Sequence, residues 1–329
     1  MSDHRPTEPL EDLHRLVGLP RPRYTRADVE RLTGVPDAQA TGWWRAMGFP
    51  NAGEDEVVFS AADVLLVRQL AERLREGLFD EEHVLRLARV MGASFSRVAG
   101  AQVETLAEMV DRVGFDDDPG ADRLQRIVGQ DEAWDLSVLV DSVLYVWRRH
   151  LLAALAGAAT TDGATTEQAV GFVDIVQFTA LSDQLEDDEL GRVVDEFETA
   201  ATDCVATHGG QVVKFIGDEV LFTAPTLDVG VDIALDLVDR DPDAPEVRCG
   251  LAFGPTVGLG GDVFGPTVNL AARLTSVARP SRVLLPHDLS EQLEGRDELV
   301  VKRVGRKYDL KGIGSTRVAT VTRREPLDA

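Results

Sequence analysis

The sequence predicts an α+β protein in two parts: an all-α N-terminal domain, then a domain built on an antiparallel sheet with helices. Three observations predict it. Apolar residues recur at helical spacing from Tyr24 towards Leu155. A small, polar stretch, "GAATTDGATTEQ" (157–168), then breaks that pattern and reads as a linker. Beyond it, short apolar strands alternate with amphipathic helices in the order βαββαβ, with additions. The chain has 329 residues, which suits two domains of about 100–200 residues each. The expected boundaries are 1–156 for the helical domain and 169–329 for the α+β domain.

Residues 1–20 read as loosely ordered. "TRADVERLTGV" opens on Thr25 as an N-cap and ends at Gly34-Val35-Pro36. "SAADVLLVRQLAERLREGL" starts at Ser60, with Asp63 at the third helical position and a stripe of Val64, Val67, Leu70, Ala71 and Leu74. "DEEHVLRLARVMG" repeats the scheme from Asp80 to Gly92. Further helices follow to about Leu155, interrupted at "FDDDPG"; the last begins near Trp134. Trp43, Trp44, Trp134 and Trp147 read as packing residues.

In the second domain "AVGFVDIV" is a buried strand and "DDELGRVVDEFETAATDCVATHG" a helix. "GQVVKFI" and "EVLFTA" are strands joined at Gly217-Asp218. "DVGVDIALDLVDR" is a helix, "EVRCGLAFG" a strand, and "PTVNLAARLTSVA" a helix with Pro266 in its first turn. "RVLLP", a short helix and two strands complete the chain. The helices are expected on one face of the sheet.

Composition narrows the function classes. Hydrophobic residues make up 44 % and charged residues 28 %, enough for real cores. The net charge of −23 argues against general affinity for nucleic acid or anionic lipid, which requires Lys and Arg to meet phosphate. Two cysteines, Cys204 and Cys249, lie in unrelated contexts without a CxxC neighbour; they indicate neither a disulfide framework nor a zinc site and read as small buried residues. The N-terminus has no apolar signal segment. The longest apolar run, near 151–159, falls short of the roughly 20 residues a spanning helix needs. A cytoplasmic protein is expected.

The chemistry gathers on "GQVVKFIGDEVLF" (210–222), which reads as a tight hairpin with Asp218 at its tip. Turn chemistry alone explains an aspartate there. Asp174, near the end of the preceding strand, changes the balance. Two neighbouring strands bring both carboxylates to one edge, and like charges repel unless a cation lies between them. Hard oxygen ligands point to Mg²⁺ or Mn²⁺, and two such ions suit phosphoryl transfer. Glu219 reads as a solvated neighbour.

Three segments, "GFVDIVQFTALS" (171–182), "HGGQVVKFIGDEVLF" (208–222) and "GLAFGPTVGLGGDVFGPTVNLAARL" (250–274), closely resemble the class III nucleotidyl cyclases, whose catalytic fold is ferredoxin-like. The resemblance covers roughly 167–323. It implies that Asp174, Asp218 and the Ile175 carbonyl hold two divalent metal ions per site, Mg²⁺ or Mn²⁺. It implies that Lys214 and Asp262 read adenine, that Asn269 orients the ribose, and that Arg273 steadies charge on the transferred phosphate. Lys311 falls where the family has a lysine reaching the terminal phosphates. The implied reaction converts ATP to 3′,5′-cyclic AMP and pyrophosphate, in sites formed between the two copies of a homodimer. The family often has glycine where Gln177 stands, which puts full activity in question and leaves a nucleotide sensor as an alternative.

The whole chain resembles actinobacterial pH-responsive adenylate cyclases with an N-terminal autoinhibitory domain. His83 and His150 are the candidate titrating groups by residue type, and a lipid-like molecule is a further candidate effector. Residues 24–92 loosely resemble the helix-turn-helix of MerR-type regulators. Glu54, Asp55 and Glu56 stand where a wing would meet phosphate, against DNA binding.

Overall fold

In a computed structural model the described residues are 14, 17–113, 137–158, 165–240 and 244–324. They fall into two compact units, dividing between Thr160 and Thr161.

The first unit is helical. Helix α1 (Arg26–Thr33) begins at a capping box, Thr25 with Asp28, and stops at Gly34 in the left-handed region, φ 72°. Helix α2 (Asp37–Ala46) follows. Helix α3 (Ala61–Arg75) repeats the box with Ser60 and Asp63. An isolated bridge, Tyr24 to Phe59, ties together the segments leading into α1 and α3. Val29, Phe59 and Val64 form one small core; Val35, Trp43 and Val84 form another. Trp44 packs on Phe49 and Phe59.

The stop expected at Gly92 does not occur. Helix α4 runs from Glu81 through Gly92 to Val113. A Cβ on Gly92 would lie 2.2 Å from the Met47 carbonyl oxygen. Gly92 is therefore a contact point for the end of α2, at a helix-propensity cost of about 1 kcal/mol relative to alanine. The expected break at "FDDDPG" and Trp134 lie outside the described residues. Helix α5 (Ser137–Ala158) exposes Leu144, Trp147 and Leu151 in this unit. A cavity lined by Trp43, Trp44 and Phe59 measures about 30 Å³, room for a water molecule and far too little for a lipid chain. No described helix is long and apolar enough to cross a membrane.

The second unit is α+β. Its elements are β1 (Thr165–Ile175), α6 (Phe178–Ser182), α7 (Asp187–Thr207), β2 (Gln211–Ile216), β3 (Glu219–Ala224), α8 (Leu227–Val238), β4 (Val247–Leu259), β5 (Asp262–Phe264), α9 (Pro266–Val277), β6 (Val283–Pro286), a 3₁₀ turn, β7 (Leu299–Leu310) and β8 (Gly314–Arg323). Helix α5 ends at Ala158 and β1 opens at Thr165, so both ends of the segment read as a linker belong to regular elements.

The strand order is β2-β3-β1-β4-β6-β8-β7, with β5 paired to β4. The sheet is mixed rather than wholly antiparallel, because β6 runs parallel to β4. Parallel neighbours need a crossover, and α9 supplies it. The helices also cover both faces, not one. Ala169, Val173, Phe222 and Leu251 pack under α7 and α8. Val170, Phe172, Leu221 and Ala252 pack under α9. The run "AVGFVDI" is apolar at consecutive positions, so β1 needs cover on each side. Gly250 lets α9 lie on the sheet: a Cβ there would sit 2.2 Å from the Thr275 nitrogen.

Candidate active site

Strand register builds the centre of the site. Asp174 of β1 stands directly opposite Glu219 of β3 on one side and Arg248 of β4 on the other. Directly opposed residues share a face, so the three form a row across the sheet, on the α9 side. Gly217, φ 62°, turns β2 into β3 and leaves Asp218 at the tip. The Ile175 amide donates to the Asp218 carbonyl at 3.2 Å, holding the tip against the end of β1.

The carboxyl groups of Asp174 and Asp218 lie close enough to act on each other electrostatically. Burial pushes the Asp218 carboxyl above its ordinary range, and the Asp174 charge adds to this. Arg248 offsets part of the repulsion: its Nε donates to Asp174 Oδ2 at 2.7 Å, and Nη2 lies 2.6 Å from the same oxygen. Glu219 is not solvated as expected. It is half-buried, and its carboxyl is pushed up to about 7, first by burial, then by Asp174 and Asp218. Two close carboxylates with the Ile175 carbonyl beside them form an all-oxygen donor set, which fits a hard divalent cation.

A second pair stands apart from this row. Lys214, after an irregularity in β2, donates to Asp262 at the start of β5. The Val263 amide fixes the other Asp262 oxygen at 2.9 Å. An open recess of about 330 Å³ beside them is lined by Gln168, Gln211, Val213, Thr223 and the turn 258–263.

Asn269 and Arg273 lie one turn apart on α9, exposed. Among the described residues neither side chain has a hydrogen-bond partner. Lys311 is exposed at the tip of the β7–β8 hairpin. Following the register through β4, β6 and β8 places it at the opposite end of the sheet from Asp174. One chain therefore brings together Asp174, Ile175 and Asp218, and separately Lys214 and Asp262. It does not bring Lys311 to Asp174.

Gln177 caps α6 in the left-handed region, φ 57° and ψ 32°, a conformation that glycine adopts without strain. His83 is exposed, its Nδ1 2.5 Å from Asp80 Oδ1 at the start of α4, and His150 is exposed on α5.

Glu219 was misread as solvated, and Arg248 was missed in the sequence. Strand alternation could have assigned each a face, but only the register places them beside Asp174.

Comparison with known proteins gives a consistent pattern. A family model described as the adenylate and guanylate cyclase catalytic domain matches residues 163–322. A protein named adenylate cyclase from Streptomyces coelicolor is 40 % identical over 279 residues, covering 82 % of this chain and 72 % of that protein. One of the same name from Streptomyces griseus is 37 % identical over 278 residues, covering 82 % and 68 %. The pH-sensitive adenylate cyclase MT1302 of Mycobacterium tuberculosis is 31 % identical over 260 residues, covering 76 % and 64 %. The likeness to the Streptomyces proteins thus extends well beyond the catalytic-domain match, into the helical unit.

Proposed function

This chain belongs to the class III nucleotidyl cyclase family, and from that premise we propose that it converts ATP to 3′,5′-cyclic AMP and pyrophosphate at a homodimer interface. The observation that carries this reading is the convergence of Asp174 and Asp218 at the end of β1. Class III cyclases use divalent metal ions. Here Asp174, Asp218 and the Ile175 carbonyl would hold them. Mg²⁺ or Mn²⁺, two per site, supplies Lewis-acid activation of the ribose 3′-hydroxyl and neutralisation of the phosphates.

The protein's own groups do the rest. Lys214 is a donor and Asp262 an acceptor, which matches the ring nitrogen and amino group on one edge of adenine. Asn269 orients the ribose. Arg273 places a permanent positive charge where negative charge grows on the transferred phosphate, and Lys311 holds the terminal phosphates. That Asn269 and Arg273 stand exposed and unpartnered, with Lys311 far from Asp174 along the sheet, supports a site completed by a second copy. The helical unit regulates the catalytic unit in cis, and the likeness to a pH-sensitive relative supports protons as the signal.

The test is production of cyclic AMP from Mn²⁺ and ATP by the full chain. Asp174→Ala should abolish it, and equal activity in that variant would sink the proposal. The backbone strain at Gln177 favours one second reading, a nucleotide sensor. ATP binding by calorimetry without turnover would support that reading instead.

A further inference from the structure

On the sheet face opposite α9, three side chains of different chemistry meet. Cys204 and His208 lie one turn apart at the end of α7, so they project from one side of that helix. Asp236 reaches them from α8. A sulfur, a ring nitrogen and a carboxylate oxygen from these residues all lie within 4.8 Å of one another. We propose that Cys204, His208 and Asp236 form a separate site for a borderline divalent cation of the Zn²⁺ type.

The donor set points to that class of ion. One thiolate, one imidazole and one carboxylate are the ligands Zn²⁺ shares among its sites, whereas Mg²⁺ takes oxygen alone. The supporting shell is also in place. His208 Nε2 lies 2.6 Å from Asp236 Oδ2. The other oxygen, Oδ1, accepts from Arg323 of β8. A ligating carboxylate held by a further hydrogen bond is the usual arrangement around a bound metal. Arg323 thus orients Asp236 while leaving Oδ2 turned to the cluster.

Binding has a definite proton balance. The Cys204 thiol, pushed up to about 11 by burial and then by Asp236, gives its proton to solvent as the metal–sulfur bond forms. The proton held between His208 Nε2 and Asp236 Oδ2 passes to His208 Nδ1 through solvent, so His208 binds as neutral imidazole and Asp236 as carboxylate. Thiolate and carboxylate cancel the dication, and a fourth position stays open to water. The His208–Asp236 contact opens to about 3.4 Å, the separation of two ligands on one tetrahedral ion. Three residues after His208 the chain enters β2, which carries Lys214. A metal here would stiffen the α7–β2 turn from behind the sheet.

Cobalt titration of the full-length, chelator-treated chain in excess Mg²⁺ tests this directly. One equivalent of Co²⁺ should produce a near-ultraviolet thiolate-to-cobalt band, which Zn²⁺ then removes. Cys204→Ser should abolish the band, and His208→Ala should weaken Co²⁺ binding about tenfold or more. Asp174→Ala should leave it intact, since that site offers no sulfur, so failure of the cyclase reading does not touch this one. Circular dichroism would establish that each variant is folded; should Cys204→Ser not fold, His208→Gln carries the test. No band at millimolar Co²⁺, or a band unchanged in Cys204→Ser or His208→Gln, overturns the proposal and leaves an ion-paired staple between α7, α8 and β8.

Discussion

Glu219 shows what a single side chain owes to its neighbours. Its folded carboxyl titrates at about 7, against 4.5 for an ordinary glutamate. The folded state therefore holds a proton that the unfolded chain has lost between those values. The associated stability is fully present below about pH 4.5 and is lost as pH rises through 7. Partial exposure screens the effect to about 1–2 kcal/mol. In EDTA, Glu219→Gln should match the parent in urea midpoint at pH 4.5 and exceed it at pH 8; equal midpoints at both would refute the assignment. At Gln177 the left-handed backbone predicts the reverse of the usual glycine penalty. Gln177→Gly should hold or raise the melting temperature, while Gln177→Val should lose about 1–2 kcal/mol. Asp174 and Asp218 were legible because alternation and turn chemistry are local. The burial of Glu219 was not, since it depends on which strand lies beside β3.

At the level of elements, α9 is held by what its bed lacks. A methyl group on Gly250 would press on the Thr275 nitrogen and the Ala271 oxygen, both helix backbone. Gly250→Ala should cost about 1–3 kcal/mol and lift α9, with Asn269 and Arg273 on it. Thermal melts would show the loss, and on the proposed reading kcat should fall further than ATP affinity. The α9 boundaries and the hairpin of β2 and β3 were readable from Pro266, Gly217 and the apolar periods. Cover on both faces was misread, although the unbroken apolar run of β1 carried the signal. Gly92 was misread for a related reason: a glycine that ends a helix and one that admits a neighbour look the same in sequence. The bridge between β4 and β6 was hidden because parallel pairing depends on a crossover, not on either strand.

For the molecule as a whole, the proposed dimer makes a quantitative demand. Asp174→Ala and Arg273→Ala should each be inactive alone. Mixed and allowed to exchange, half the dimers pair one of each, and each such dimer keeps one intact site. About a quarter of the parent activity should return; none would place all the groups of a site within one chain. Residues 161–329 form a compact unit. Assayed beside the full chain over a pH series, that unit should be more active and less pH-dependent if the helical unit restrains it. Two-part organisation was legible from the change of period near residue 160. The signal proposed for the first part was not, because the two candidate histidines, His83 and His150, sit exposed, where residue type says little.

The contact between Lys214 and Asp262 has one more consequence. On the proposed reading these two groups meet the base, and within this chain they already satisfy each other. On that reading recognition is an exchange, in which a base must replace what it interrupts. Adenine offers an acceptor to the lysine and a donor to the carboxylate, and restores both. Guanine presents the opposite order along that edge and restores neither. Discrimination then rests less on the attraction of the right base than on the reluctance of a closed clasp to open for the wrong one.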